Sequence, residues 1–147
     1  MQIAALYALA FLAGLLLTVQ VGFNAALRNA FGNPGTAALG NFLIGTAGLL
    51  AYLFITRAEW PSRAAVFGAP PWAWIGGLLG AFYVVSSVVV GPRLGAAALL
   101  ALTVFGQLAA SLVIDHFGWL GFPEHPFTLT RLAGAALLLA GVILIVR

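Results

Sequence analysis

Residues 3–27 read IAALYALAFLAGLLLTVQVGFNAAL, an uncharged run from Ile3 to Leu27 that ends one residue before Arg28. A helix needs about 20 mainly apolar residues to cross the hydrocarbon core of a bilayer. The run is longer than that. It is rich in Leu and Ala and lacks the alternation of a membrane-barrel strand, so it predicts a spanning helix. Its start carries no positive charge and its apolar stretch is long for a signal core, which predicts a retained first helix rather than a cleaved leader.

Four further runs repeat the pattern, over about 36–55, 72–90, 94–114 and 131–146. Asn33-Pro34-Gly35 is a turn signal before the second of them. A short polar connection containing Arg57, Glu59, Trp60, Pro61 and Arg63 leads to Pro70-Pro71, and Trp72 and Trp74 then suit the interfacial aromatic belt. Gly91-Pro92-Arg93 reads as a tight turn between the third and fourth runs. Asp115 to Thr130 reads as the longest polar loop. The expectation is an all-α integral membrane protein, one domain over residues 1–147 with five transmembrane helices. No internal repeat is evident.

Composition supports the same class. The chain is 63% hydrophobic and 6% charged, against roughly 25% charged residues in soluble domains. Its net charge of +3 comes from six arginines without a lysine, scattered singly between apolar runs. That distribution fits anchoring at lipid head groups rather than binding nucleic acid. Without cysteine there is no disulfide, thiolate metal site or cysteine nucleophile.

Five crossings would place Arg57, Arg63 and Arg131 on one face and Arg28, Arg93 and Arg147 on the other. Orientation follows the Lys/Arg difference between short loops, and here that difference vanishes. Hydrophobicity or a partner chain could still set one orientation. The sharper expectation is dual topology, with two oppositely inserted copies forming a ten-helix antiparallel homodimer. Many transporters use such an inverted repeat, with substrate near the midplane.

Polar residues inside spans are costly unless they face a cavity or a partner. The first run ends with Gln20 and Asn24 one turn apart. The second has Asn41, Gly45, Gly48 and Tyr52 on one face; the third has Gly76, Gly80, Tyr83 and Ser87. The fourth carries Thr103, Gln107, Ser111 and Asp115 at steps of four, a ribbon drifting only about 40° per step. The expected substrate-binding residues are Gln20, Asn24, Asn41, Tyr52, Tyr83, Ser87, Thr103, Gln107 and Ser111. Gly45, Gly48, Gly76, Gly80, Gly134 and Gly141 are expected to serve helix packing, as small residues do in membranes. The fifth run, aliphatic between Arg131 and Arg147, is expected to pack or face lipid.

Asp115 is the one carboxylate adjoining a span, and proton coupling there is weighed against a loop anchor or wet cap. His116 and His125 match no metal-ligand spacing. With no nucleophile–base pair, phosphate-binding loop or paired carboxylates, the reading is not an enzyme, with no catalytic residues, no cofactor and no metal.

Taken together, Gln20-Val-Gly-Phe-Asn24-Ala-Ala-Leu27, Asn33-Pro34, Asn41-Phe-Leu-Ile-Gly45-Thr46, Gly76-Gly-Leu-Leu-Gly80-Ala-Phe-Tyr83, Pro92-Arg93-Leu-Gly95, Gly106-Gln107-Leu108 and Asp115-His116-Phe117-Gly118 run through almost the whole chain. In this order they resemble the YdcZ-like five-helix family of the drug/metabolite transporter superfamily, related to small multidrug resistance proteins. The resemblance implies a bacterial inner-membrane protein working as an antiparallel pair, with itself or with a paired homologous chain. Small multidrug resistance proteins use a glutamate in the first helix, and Ile3–Leu27 has no acid. Export of lipophilic cations by that route is therefore not carried over. An uncharged, amide-lined site suits a neutral or zwitterionic solute, or an ion bound by dipoles.

The functional expectation is a small secondary transporter moving a small-molecule substrate by alternating access, surrounded by membrane lipid. A small dimeric ion channel and a non-transporting membrane subunit are the alternatives.

Overall fold

A computed structural model describes residues 3–147, and every regular element among them is helical. The six α-helices are α1 (Ile3–Phe31), α2 (Pro34–Thr56), α3 (Arg63–Gly68), α4 (Gly76–Leu94), α5 (Ala96–Phe117) and α6 (Leu129–Val146). A 3-10 turn at Pro71–Ile75 leads into α4, and a shorter one at Trp119–Gly121 follows α5. Five helices are long and apolar enough to cross a membrane: α1, α2, the segment Pro71–Leu94, α5 and α6, with mean hydropathies of 1.8 to 2.3. At 1.5 Å per residue α1 is about 44 Å long, more than the ~30 Å hydrocarbon core requires.

Local chemistry sets the helix ends. Gly32 (φ 73°) closes α1, its N–H bonding Arg28 O at 2.8 Å. Asn33 then caps α2: Oδ1 accepts from Gly35 N at 2.7 Å and Thr36 N at 3.2 Å, and Pro34 takes the first helical position. Proline suits that position because the N–H it lacks would have no partner inside the helix. The expected turn signal is thus also the helix start. At the far end of α2, Arg57 adopts a left-handed conformation (φ 51°, ψ 38°), and Ala58 N bonds Leu53 O at 3.0 Å. This is a Schellman-type ending with arginine in the usual glycine position.

Two connections differ from the sequence reading. The polar stretch after Arg57 contains α3, started by Ser62, whose Oγ accepts from Ala65 N at 3.2 Å. Gly91-Pro92-Arg93 does not form the turn; α4 continues through Pro92 to Leu94. A proline ring fixes φ near the helical value, so the chain can stay helical there, forgoing the bond from residue 92 to the carbonyl of Val88. The break falls at Gly95 instead, with φ 82° and ψ 158°, a region essentially open only to glycine.

The chain divides into two compact units, Met1–Pro92 and Arg93–Arg147. In the first, α1 and α2 form a helical hairpin, and α2 packs on α4 through a core of Ala38, Val84 and Val88, flanked by Tyr83 and Val85. Gly80 lies where a Cβ would meet the Phe42 ring at 3.7 Å. Most apolar side chains of α1 stay exposed; only Val21 and Asn24 are buried. Lipid, not water, is the solvent these surfaces match.

In the second unit α5 and α6 form another hairpin. Thr128 Oγ1 caps α6 by accepting from Arg131 N at 3.2 Å. The loop between the helices is held by Asp115 and Arg131, Nη2 to Oδ2 at 2.6 Å. Arg131 Nη1 also donates to His125 O at 2.8 Å, and His125 N to Asp115 O at 2.7 Å.

Candidate functional site

The polar feature inside the first unit is an amide pair. Gln20 on α1 donates from Nε2 to Asn41 Oδ1 on α2 at 3.4 Å. The two side chains face a cleft of about 380 Å³, lined otherwise by Phe42, Ile44, Gly45, Thr46 and Leu49. The bond is long for N–H···O, whose usual range ends near 3.2 Å, so the pair is lightly tied. None of the lining residues is charged.

One turn beyond Gln20, Asn24 is only 2% exposed, and its Oδ1 finds no hydrogen-bond partner among the described residues. A buried acceptor left unmade costs about 1–3 kcal/mol, more than a typical made bond contributes. Such a group is rare in native structures. Val21 and Ala37 on the same hairpin are also buried.

The remaining expected residues fall elsewhere. Gly45 lines the cleft itself, and nothing lies within 4 Å of a Cβ placed there. The same holds at Gly48, Gly76, Gly134 and Gly141; among the six expected packing glycines, a close neighbour is found at Gly80 alone. Tyr52 is 62% exposed, and Tyr83 flanks the α2–α4 core. Ser87 is buried and donates to Val84 O at 2.8 Å within its own helix. Thr103 does likewise to Leu99 O at 2.8 Å. Both hydroxyls are therefore satisfied by backbone carbonyls, a common device of serine and threonine in helices. Gln107 and Ser111 are exposed on α5.

Asp115 sits in the ion pair that ties α5 to α6, with 22% of its side chain exposed. His116 Nδ1 accepts from Phe127 N at 3.2 Å, and its ring stacks on Phe127 at 4.1 Å. That nitrogen is committed to the loop. Sequence reading placed Arg131 as an interfacial anchor and missed its partner; the available signal was an acid at the end of one span and an arginine at the start of the next.

A second cleft, about 350 Å³, runs along the α5–α6 hairpin between Leu102, Phe105, Leu139, Val142, Ile143, Val146 and Arg147. Its wall is aliphatic and aromatic, and it offers no side-chain hydrogen bond apart from Arg147.

Residues 5–144 match the sequence profile of the family described as "Putative inner membrane exporter, YdcZ". This chain belongs to that family. It is also 31% identical over 141 residues to the inner membrane protein YdcZ of Escherichia coli (strain K12), covering 95% of this chain and 94% of that protein. No solved structure matches. Family membership and the five apolar helices together make this a multi-pass protein of the bacterial inner membrane, of the exporter class.

Proposed function

We propose that the protein is a small secondary transporter that moves a small solute across the inner membrane by alternating access, as a pair of oppositely inserted copies. The observation that carries the reading is the Gln20–Asn41 pair on an open cleft, with the unpartnered amide of Asn24 one turn away. Interhelical bonds between such groups contribute only about 0.6 kcal/mol on average in one membrane protein. Packing alone is weak reason to keep three amides on one hairpin.

In this reading Gln20, Asn24 and Asn41 line the path. Gln107 is a separate candidate from the sequence pattern, and Asp115 acts as a loop anchor rather than a proton carrier. The partner is a second copy or a paired homologous chain. The balanced arginines, three to each face in a five-span topology, support inverted pairing because they leave no Lys/Arg bias to select one orientation.

The test uses protein reconstituted in liposomes and a metabolite screen for saturable uptake. Asn41→Leu and Gln107→Leu should each abolish transport while insertion and dimer formation persist. Transport that survives both changes would remove the proposed path. A uniform orientation in an active homo-oligomer would remove the inverted pair.

A further inference from the structure

The transport reading leaves the class of solute open; the inference here rests on that reading and names the class. We infer that the Gln20–Asn41 cleft selects an uncharged solute that presents a hydrogen-bond donor beside an acceptor, as a carboxamide does, on an apolar body.

Charge is the first discriminator. The cleft is lined by two amides, a hydroxyl, glycine and the apolar side chains of Phe42, Ile44 and Leu49. A solute ion entering it would leave water with no opposite charge to meet, and an unpaired desolvated ion is far costlier than a neutral polar group.

The hydrogen-bond inventory is the second. Each side-chain amide offers a carbonyl acceptor and an NH₂ donor. The mutual bond uses one N–H of Gln20 Nε2 and one lone pair of Asn41 Oδ1. Donor and acceptor capacity therefore remains on both side chains. Reversing both amides would exchange the roles and leave the same complement. That complement matches a carboxamide, which carries its own N–H donor and C=O acceptor.

The third observation is Asn24. Its Oδ1 is buried and short of a donor, and it lies four residues from Gln20, on nearly the same face of α1. A second N–H on the solute would meet that need once the hairpin adjusts. Phe42 supplies an aromatic wall, itself backed by Gly80. The volume of about 380 Å³ falls at the lower end of small-molecule sites, which span roughly 300–1,000 Å³.

Three near-isosteres separate the possibilities: benzamide (neutral), benzoate (anionic) and benzamidine (cationic). Binding of radiolabelled benzamide to the intact protein in lipid nanodiscs is measured, with the two charged analogues as competitors. Saturable benzamide binding is expected, with benzoate and benzamidine weaker by roughly tenfold or more, since a site built on hydrogen bonds discriminates steeply. Asn41→Leu should weaken benzamide by a similar factor, whereas Leu137→Ala, on α6, should leave it unchanged. No saturable benzamide binding would overturn the inference. Equal or tighter binding of either charged analogue, still lost in Asn41→Leu, would overturn the solute class while leaving the site in place. Benzamide binding that ignores Asn41→Leu would overturn this cleft as the place of recognition, while the transport reading stands or falls on the liposome assay.

Discussion

Arg131 reaches back across the loop to Asp115, one nitrogen on the carboxylate at 2.6 Å and the other on the His125 carbonyl at 2.8 Å. A single guanidinium thereby joins the end of α5, the loop and the start of α6. The rigid planar fork of an arginine spans both acceptors with separate nitrogens, whereas a lysine offers a single compact charge.

Removing that fork should loosen the α5–α6 hairpin. The partners are about a third and a fifth exposed, so the ion pair is worth less than a buried one. Arg131→Met is expected to cost about 1–2 kcal/mol, from the pair and the charged bond to the carbonyl. Arg131→Lys should recover part of it. Thermal unfolding in mild detergent checks both, with Asp115→Asn as the matching change on the other side.

The same arginine bears on orientation by a separate route. In the five-span topology Arg131→Ala leaves two arginines on its face and three on the other. The face with the excess should then become cytoplasmic, giving outside N-termini and inside C-termini. Arg147→Ala should bias the chain the opposite way. Asp115→Asn should leave orientation mixed, because acids contribute little. The chain has no cysteine, so one introduced near either end is a unique label for impermeant reagents.

Asn24 offers a trade of activity for stability. Asn24→Leu removes the unpartnered buried amide and fills a similar space. Stability should hold or rise by about 1 kcal/mol, since replacing a costly unsatisfied group with an apolar one relieves its desolvation. Transport should fall. A variant both less stable and fully active would mean the amide is structural.

Phe42 should respond to changes behind it. A methyl at Gly80 would touch the ring at an ordinary 3.7 Å, so Gly80→Ala should fold and transport normally. The longer side chain of Gly80→Leu would overlap the ring and press it toward the cleft. Overpacking of this kind costs about 1–3 kcal/mol. Reduced solute binding out of proportion to the loss of stability, read from paired binding and melting curves, is the expected result.

Apolar run length made the five spans legible, because the bilayer imposes a length that composition alone can satisfy. The ends were harder. Pro92 looked like a turn, yet its fixed φ is helical, and the chain breaks three residues later where Gly95 has the freedom to do so. The Gln20–Asn41 contact could be suspected from two isolated amides, whereas which residue faces which depends on the rotation of each helix, and short glycine-rich stripes do not encode that. Asn24 is legible as polar, but its burial and missing partner exist only once α1 has neighbours. The Asp115–Arg131 pair escaped because the path of the intervening loop, turned by Gly118 and the stacked rings of His116 and Phe127, decides whether the two ends meet.

Arg57 closes α2 in a backbone shape that glycine would adopt freely and that strains an L-residue by roughly 1–2 kcal/mol. Arg57→Gly should therefore yield a sturdier helix terminus and a chain biased toward one orientation, since it also deletes a cation from one leaflet's tally. Folding ease and topogenesis pull on this residue in opposite directions, and the side chain present is the one that favours the lipid boundary.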